Sequence, residues 1–237
     1  MPTLDRNQAT SSSRKGLDRY QALLLPLMIG FAVTILAFAF AKLGSEVAEG
    51  DTRIFDMALL ARAQSFRAAY PWLAEVMRDL SGLGSTAVLS LFTVATVGYL
   101  SLVHARITAF LVATSVISGT VLVSVFKAAF GRLRPDAAYA ELVVSGLSFP
   151  SGHASMSAIV FLTIGTLIAS TRSHLPERIY ILLIAALMTL LVGLSRVALG
   201  VHWATDVLGG WAFGSAWAIF WLLLVRYLAK QRGDKGR

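Results

Sequence analysis

The sequence predicts an all-α polytopic membrane bundle: six transmembrane helices plus short amphipathic helices on the outer face. Three observations carry this. Of 237 residues, 56% are hydrophobic and only 14% charged, whereas a soluble domain carries about a quarter charged residues. Mean hydropathy is +0.69. Six charge-poor runs each can supply roughly the 17–25 apolar residues that a spanning helix needs.

The first nineteen residues are polar, with the hydroxyl run Thr10 to Ser13 followed by Arg14 and Lys15. They lack the short apolar core and cleavage site of a signal peptide, so 1–19 reads as a cytosolic tail and the first helix as an uncleaved anchor. A single membrane domain is expected over 20–226, with 227–237 as a second cytosolic tail. The first span is expected within 20–41, between Arg19 and Lys42.

Residues 44–79 form an outer segment. Leu73, Val76, Met77 and Leu80 follow i, i+3, i+4, i+7 spacing, and Pro71 separates them from Phe55, Leu59 and Phe66. Two short interfacial helices are expected, packed against the bundle or gating lipid access. The remaining spans are expected in 80–105, 107–126, 142–171, 179–195 and 207–225. The fourth run holds His153, and the fifth is the shortest.

Six spans put both termini on one side. With the N-terminus inside, the segments 1–19, 104–106, 172–178 and 226–237 hold twelve of the 21 lysines and arginines, and the whole net charge of +8. That is the positive-inside pattern. The basic balance therefore calls for anionic membrane lipids as partners, not nucleic acid. There is no cysteine, which excludes disulfides, thiolate metal sites and a cysteine nucleophile. Oligomeric state is left open.

Three polar stretches fall at the outer ends of these spans: Lys127, six residues, then Arg134-Pro135; Pro150-Ser151-Gly152-His153; and Ser195-Arg196, five residues, His202, three residues, Asp206. Ionisable residues beside apolar spans are costly and carry a functional presumption. Proline, serine and glycine signal a helix start. The free amides there bind anions, with His153 in the first turn; a helix cap with one buried histidine is the structural alternative. His202 and Asp206, four apart, share a helical face. The carboxylate can fix one imidazole tautomer and leave the other nitrogen free to attack; a satisfied i, i+4 pair or a metal site is the alternative. Metal is disfavoured by the neighbouring cations and the lack of further carboxylates at ligand spacing. Lys127, Arg134 and Arg196 supply charge for a phosphoryl group, or snorkel to the interface. Arg132 lies outside the pattern and reads as a snorkelling residue. His104 and His174 lie on the inner face and receive no role.

Together these stretches match K-x6-RP, PSGH and SR-x5-H-x3-D in order, over roughly residues 51–225. The chain thereby resembles the type 2 phosphatidic acid phosphatase family of membrane lipid phosphatases, whose pocket is shared with soluble vanadium haloperoxidases and acid phosphatases. The resemblance implies His202 as the nucleophile forming a phosphohistidine and Asp206 as its orienting partner. It implies His153 as general acid, then base, and Lys127, Arg134, Ser151, Gly152 and Arg196 as the phosphate cradle. No metal or organic cofactor is implied.

The expected function is a lipid phosphate phosphatase of the bacterial cytoplasmic membrane with its site on the outer face. Undecaprenyl pyrophosphate is the favoured substrate, with phosphatidylglycerophosphate, phosphatidate and lipid A phosphate as rivals. A lipid phosphotransferase is a second reading. A transporter or flippase is a third, although the paired interrupted helices of transporters are not evident.

Overall fold

The structure, a computed structural model, describes residues 6–142 and 144–235; for residues 6–26, 226 and 229–235 it describes the backbone alone. The chain runs through α1 (Arg6–Glu49), α2 (Arg53–Ala69), α3 (Trp72–Gly82), α4 (Thr86–Leu102), α5 (Arg106–Phe130), a short 3-10 turn (Ala137–Tyr139), α6 (Gly152–Ser170), α7 (Leu175–Ala198) and α8 (Ala204–Lys235). Among the described residues, six stretches are long and apolar enough to cross a membrane: Leu27–Glu49, Trp72–Leu102, Arg106–Phe130, Gly152–Ser170, Leu175–Ala198 and Ala204–Val225. The chain is a multi-pass, all-α membrane protein.

The span boundaries differ from the charge-free runs for local reasons. α1 continues through Lys42, which pairs with Glu46 at 2.9 Å one turn on. The second span is two helices broken at 83–85, where Ser85 caps α4 by accepting a hydrogen bond from the Val88 amide. The helix of the fourth span begins only at Gly152, because Ser151 caps it; residues 144–151 before it form a loop. The fifth span is 24 residues long and the fourth, at 19, is the shortest. Pro176 in the first turn of α7 starts that helix ahead of Arg178.

Burial is arranged for lipid, not water. Phe31, Phe38, Leu91, Phe110 and Leu183 are all exposed. The interior is built from small residues, which let backbones approach closely. α6 is the central helix, against α7 on one side and α8 on the other. A Cβ added at Gly214 would lie 2.4 Å from the carbonyl oxygen of Ser155, and one at Gly165 2.6 Å from the Cβ of Ala185. Several hydroxyls within the spans are satisfied by their own helix, as Thr114 and Thr93 donate to the carbonyls of Phe110 and Leu89.

Beneath the polar end of the bundle lies an aromatic cluster. Phe40 of α1 stacks on Phe149 at 5.7 Å between centroids and also meets Phe126, Phe130 and Phe213. Phe149 is wholly buried and lies two residues before the Ser151 cap of α6, so this cluster is the floor on which the polar residues stand.

The segment that follows the first span does form two short helices, but the buried face of α2 is not the apolar one. Phe55 and Phe66 are exposed, and Asp56, Leu60 and Arg67 are buried. Arg67 donates to the carbonyls of Tyr139 and Ala198 and to Glu141, tying α2 to the loop before α6 and to the end of α7.

Candidate active site

Four helix ends and one extended strand of chain bring the three polar stretches together at one end of the bundle. α5 stops at Gly131, whose left-handed backbone (φ 61°) donates back to the carbonyl of Lys127. The chain then extends, so side chains alternate. Leu133 points out, 77% exposed, while Arg132 and Arg134 both point in. α6 starts at the Ser151 cap, and the Ser151 amide donates to the carbonyl of Asp206 at 2.9 Å. Between α7 and α8 the turn passes through Gly200 at φ 72°, where any Cβ would strike the Tyr139 carbonyl at 2.0 Å.

His202 is 1% exposed and Asp206 is fully buried. His202 Nδ1 lies 3.1 Å from Asp206 Oδ2, and Nε2 lies 3.0 Å from Nη1 of Arg134. A guanidinium can only donate, so Nε2 is the acceptor and Nδ1 carries the proton to Asp206. Burial pushes the imidazole down to about 4, against the opposing hydrogen bond and charge of Asp206. A neutral, oriented imidazole with an unprotonated Nε2 results. Asp206 Oδ2 also accepts from Ser148 Oγ and from the Trp203 amide.

The cations surround this pair. Lys127 Nζ donates to the carbonyls of Leu147 at 2.6 Å and Ser148 at 3.2 Å. It faces Gly152, where an added Cβ would lie 4.0 Å from the lysine Cε. Arg134 also donates to the carbonyls of Gly146 and Val201; burial lowers its pKa, but a guanidinium stays charged. Arg196, 4% exposed, donates to Ser81 Oγ at 2.6 Å, and its buried Nε has no hydrogen-bond partner. Buried donors are almost always paired, so an orphaned guanidinium N–H beside other cations fits an anion. His153, in the first turn of α6, packs close to the α3–α4 turn at Gly84.

One expectation is corrected. Arg132 does not snorkel. Its side chain is 14% exposed and bridges two buried carboxylates, Asp206 Oδ1 at 2.8 Å and Asp56 Oδ2 at 2.6 Å. It also donates to Thr205 and Thr52 and lies 5.4 Å from the Trp203 ring centroid. Unpaired carboxylates next to its span end made this the cheaper arrangement, since a buried carboxylate needs a partner. Four residues unassigned in the sequence thus join the site: Asp56, Ser81, Ser148 and Thr205. The only advance signal was Asp56 and Arg67 on one helical face of α2. Among the described residues, no cluster of three or more His, Cys, Asp or Glu side chains is placed to hold a metal.

A groove of about 220 Å³ leads away from the polar end between α4, α5 and α6. Lys127, Gly152 and His153 line one part of it, and Met156, Val116 and Leu89 another. A charged end joined to an apolar run suits an amphiphile with an anionic head.

Comparison with known proteins agrees with this arrangement. The model of the PAP2 superfamily matches residues 108–230. Phosphatidylglycerophosphatase B of Bacillus subtilis (strain 168) is 36% identical over 173 residues, covering 70% of this chain and 77% of that protein. Lipid A 1-phosphatase of Rhizobium etli is 34% identical over 164 residues, 59% of this chain and 66% of that protein. Among solved structures, the transmembrane PAP2-type phosphatidylglycerolphosphate phosphatase from Bacillus subtilis superposes with a TM-score of 0.74 at 29% identity, covering 85% of this chain and 97% of that one. Aquifex aeolicus LpxE superposes at 0.54 with 25% identity, covering 71% and 95%.

Proposed function

The chain belongs to the PAP2 superfamily and is a membrane lipid phosphatase; from that premise we propose that His202 attacks the substrate phosphorus and that His153 handles the proton. The carrying observation is the hydrogen-bonded row Asp206, His202, Arg134, which leaves Nε2 as the unprotonated, cation-flanked nitrogen.

In the first step Nε2 forms a bond to phosphorus, and the bond from phosphorus to the lipid oxygen breaks. His153, protonated, gives its proton to that oxygen. Asp206 holds the proton on Nδ1 and offsets the charge of the imidazolium that forms. In the second step His153 takes a proton from water, the water oxygen bonds to phosphorus, and the P–N bond breaks to release phosphate. Lys127, Arg134 and Arg196, with the first-turn amides at Gly152 and His153, hold the phosphoryl oxygens. Ser151 serves by accepting from the Ala154 amide one turn on, which starts the helix and leaves the amides of Gly152 and His153 to the phosphate. Among the described residues, the carboxylates facing Arg132, Lys127, Arg134 and Arg196 are Asp56 and Asp206, so the site is net cationic, matched to a phosphate dianion. The same cationic set argues for a metal-independent reaction.

The lipid tail lies along the groove between α4, α5 and α6. Phosphatidylglycerophosphate has the most support as substrate, through the named activity of the Bacillus subtilis relative; the Rhizobium relative brings lipid A phosphate next. The relatives' names do not speak for undecaprenyl pyrophosphate, so it enters as a comparator. The charge bias of the inner segments supports an outward-facing site with both termini cytosolic.

The test is phosphate release by detergent-purified protein with chelator present, wild type beside His202→Ala. The panel is phosphatidylglycerophosphate, undecaprenyl pyrophosphate, phosphatidate, lipid A 1-phosphate and a water-soluble ester. Fastest release from phosphatidylglycerophosphate, lost in His202→Ala, is expected. Release that needs an added divalent ion, or that survives in His202→Ala, overturns the reading.

A further inference from the structure

We propose that Asp56 and Arg132 form a positioning pair that holds Asp206, and through it His202, in the attacking geometry. The proposal rests on the reading of His202 and Asp206 as the catalytic pair. It concerns a residue of the outer helix α2 that lies before the part of the chain matched by the family model, residues 108–230.

Asp56 is 1% exposed and Thr205 2% exposed. All three donors around the Asp56 carboxylate converge on it: the Thr205 amide at 3.0 Å on Oδ1, and Thr205 Oγ1 at 2.7 Å and Arg132 Nη2 at 2.6 Å on Oδ2. Nη1 of the same guanidinium then reaches Asp206 Oδ1 at 2.8 Å. The other Asp206 oxygen takes His202, Ser148 and Trp203. The nucleophile's partner is therefore gripped on both oxygens, and the Oδ1 grip is fixed by a residue of α2. Both terminal nitrogens of Arg132 are committed: Nη1 to Thr205 and Asp206, Nη2 to Thr52 and Asp56. It acts on the carboxylate that orients the histidine, and leaves the phosphate to Lys127, Arg134 and Arg196.

This division predicts a particular kinetic signature. Loss of a positioning residue lowers kcat while KM holds, because the cations that bind ground-state phosphate are untouched. Asp56→Asn breaks the pair without changing shape. With donors on both oxygens, its amide nitrogen must face a donor in either orientation. Arg132→Gln removes the bridge itself.

The experiment measures kcat, KM and inhibition by inorganic phosphate for wild type, Asp56→Asn, Arg132→Gln, the double variant and His202→Ala, with thermal unfolding in detergent to verify folding. In each single variant of the pair, kcat is expected to fall roughly tenfold to a hundredfold, below the roughly 10⁴ that follows mutation of a triad carboxylate itself. KM and phosphate inhibition should stay within about threefold. The double variant should lose far less than the product of the two single losses, because Asp56 and Arg132 act as one unit. If Arg132→Gln does not fold, Arg132→Lys carries the same test, since an ammonium keeps the charge but cannot bridge both carboxylates as a fork. Unchanged kcat in a folded variant, a change confined to KM, or losses that multiply in the double variant each overturn the proposal. An active His202→Ala overturns the underlying reading instead; an inactive one beside a fully active Arg132→Gln overturns only the positioning pair.

Discussion

Nη1 of Arg134 stands 3.0 Å from Nε2 of His202, on the nitrogen's acceptor side. The arginine thus marks the tautomer and also occupies the approach to the nucleophile. In the proposed mechanism an incoming phosphoryl group takes that position, and the guanidinium transfers its N–H groups from nitrogen lone pair to phosphoryl oxygens.

Arg134 is therefore expected to matter in both ground and transition states. Arg134→Ala should raise KM and lower kcat, the latter by about 10²–10³, as for removal of an oxyanion donor. Arg134→Lys should recover charge but not the fork, and remain impaired. Steady-state kinetics on phosphatidylglycerophosphate checks this, and a change in KM alone would contradict it.

The pH dependence follows from burial of His202. Its pKa is pushed down to about 4, below the ordinary value near 6.5. The imidazole is thus neutral above that point, and the nucleophile is lost only as pH falls through it. Selectively 15N-labelled histidine should report a neutral His202 at pH 5.5 in the free protein. Asp206→Asn should depress the value further, because it removes the interactions that raise it. A protonated ring at pH 5.5 in wild type would count against the assignment.

His153 is assigned to proton transfer in both steps, so its loss should depend on the leaving group. His153→Gln should lose most activity on a lipid ester. With a p-nitrophenyl ester, whose leaving group needs no proton, the first step should survive and the second stall. Burst kinetics of p-nitrophenol release would show this. Equal impairment of the first step on both substrates would contradict the acid role.

The turn before His202 depends on Gly200. Gly200→Ala places a methyl group against the Tyr139 carbonyl at a backbone conformation with φ 72°. The cost should exceed about 1 kcal/mol and lower both the thermal midpoint and turnover. Thermal unfolding in detergent alongside kcat is the check.

Much of this site was legible in the chain. Lys127, Arg134, His153, Arg196, His202 and Asp206 are chemistry-bearing residues at fixed spacing beside apolar spans, and alternating helix directions bring those span ends together. The bracing was not legible. Arg132 at a span end is equally well explained by snorkelling, and its partner Asp56 lies 76 residues away. Nothing in one sequence links them. On α2 the hydrophobic stripe misled for a physical reason: beside lipid, Phe55 and Phe66 face outward, and the polar stripe with Asp56 and Arg67 faces the protein. Span ends shifted for similar reasons, because a charge such as Lys42 pairs within its own helix instead of ending it.

The most direct test of the central claim is rapid quench of wild type with substrate carrying 32P in the scissile phosphate, followed by peptide mapping at alkaline pH. The account predicts label on Nε2 of His202, acid-labile and alkali-stable, and its complete loss in His202→Ala. Turnover with no phosphoenzyme at any time, or label on another residue, would contradict it.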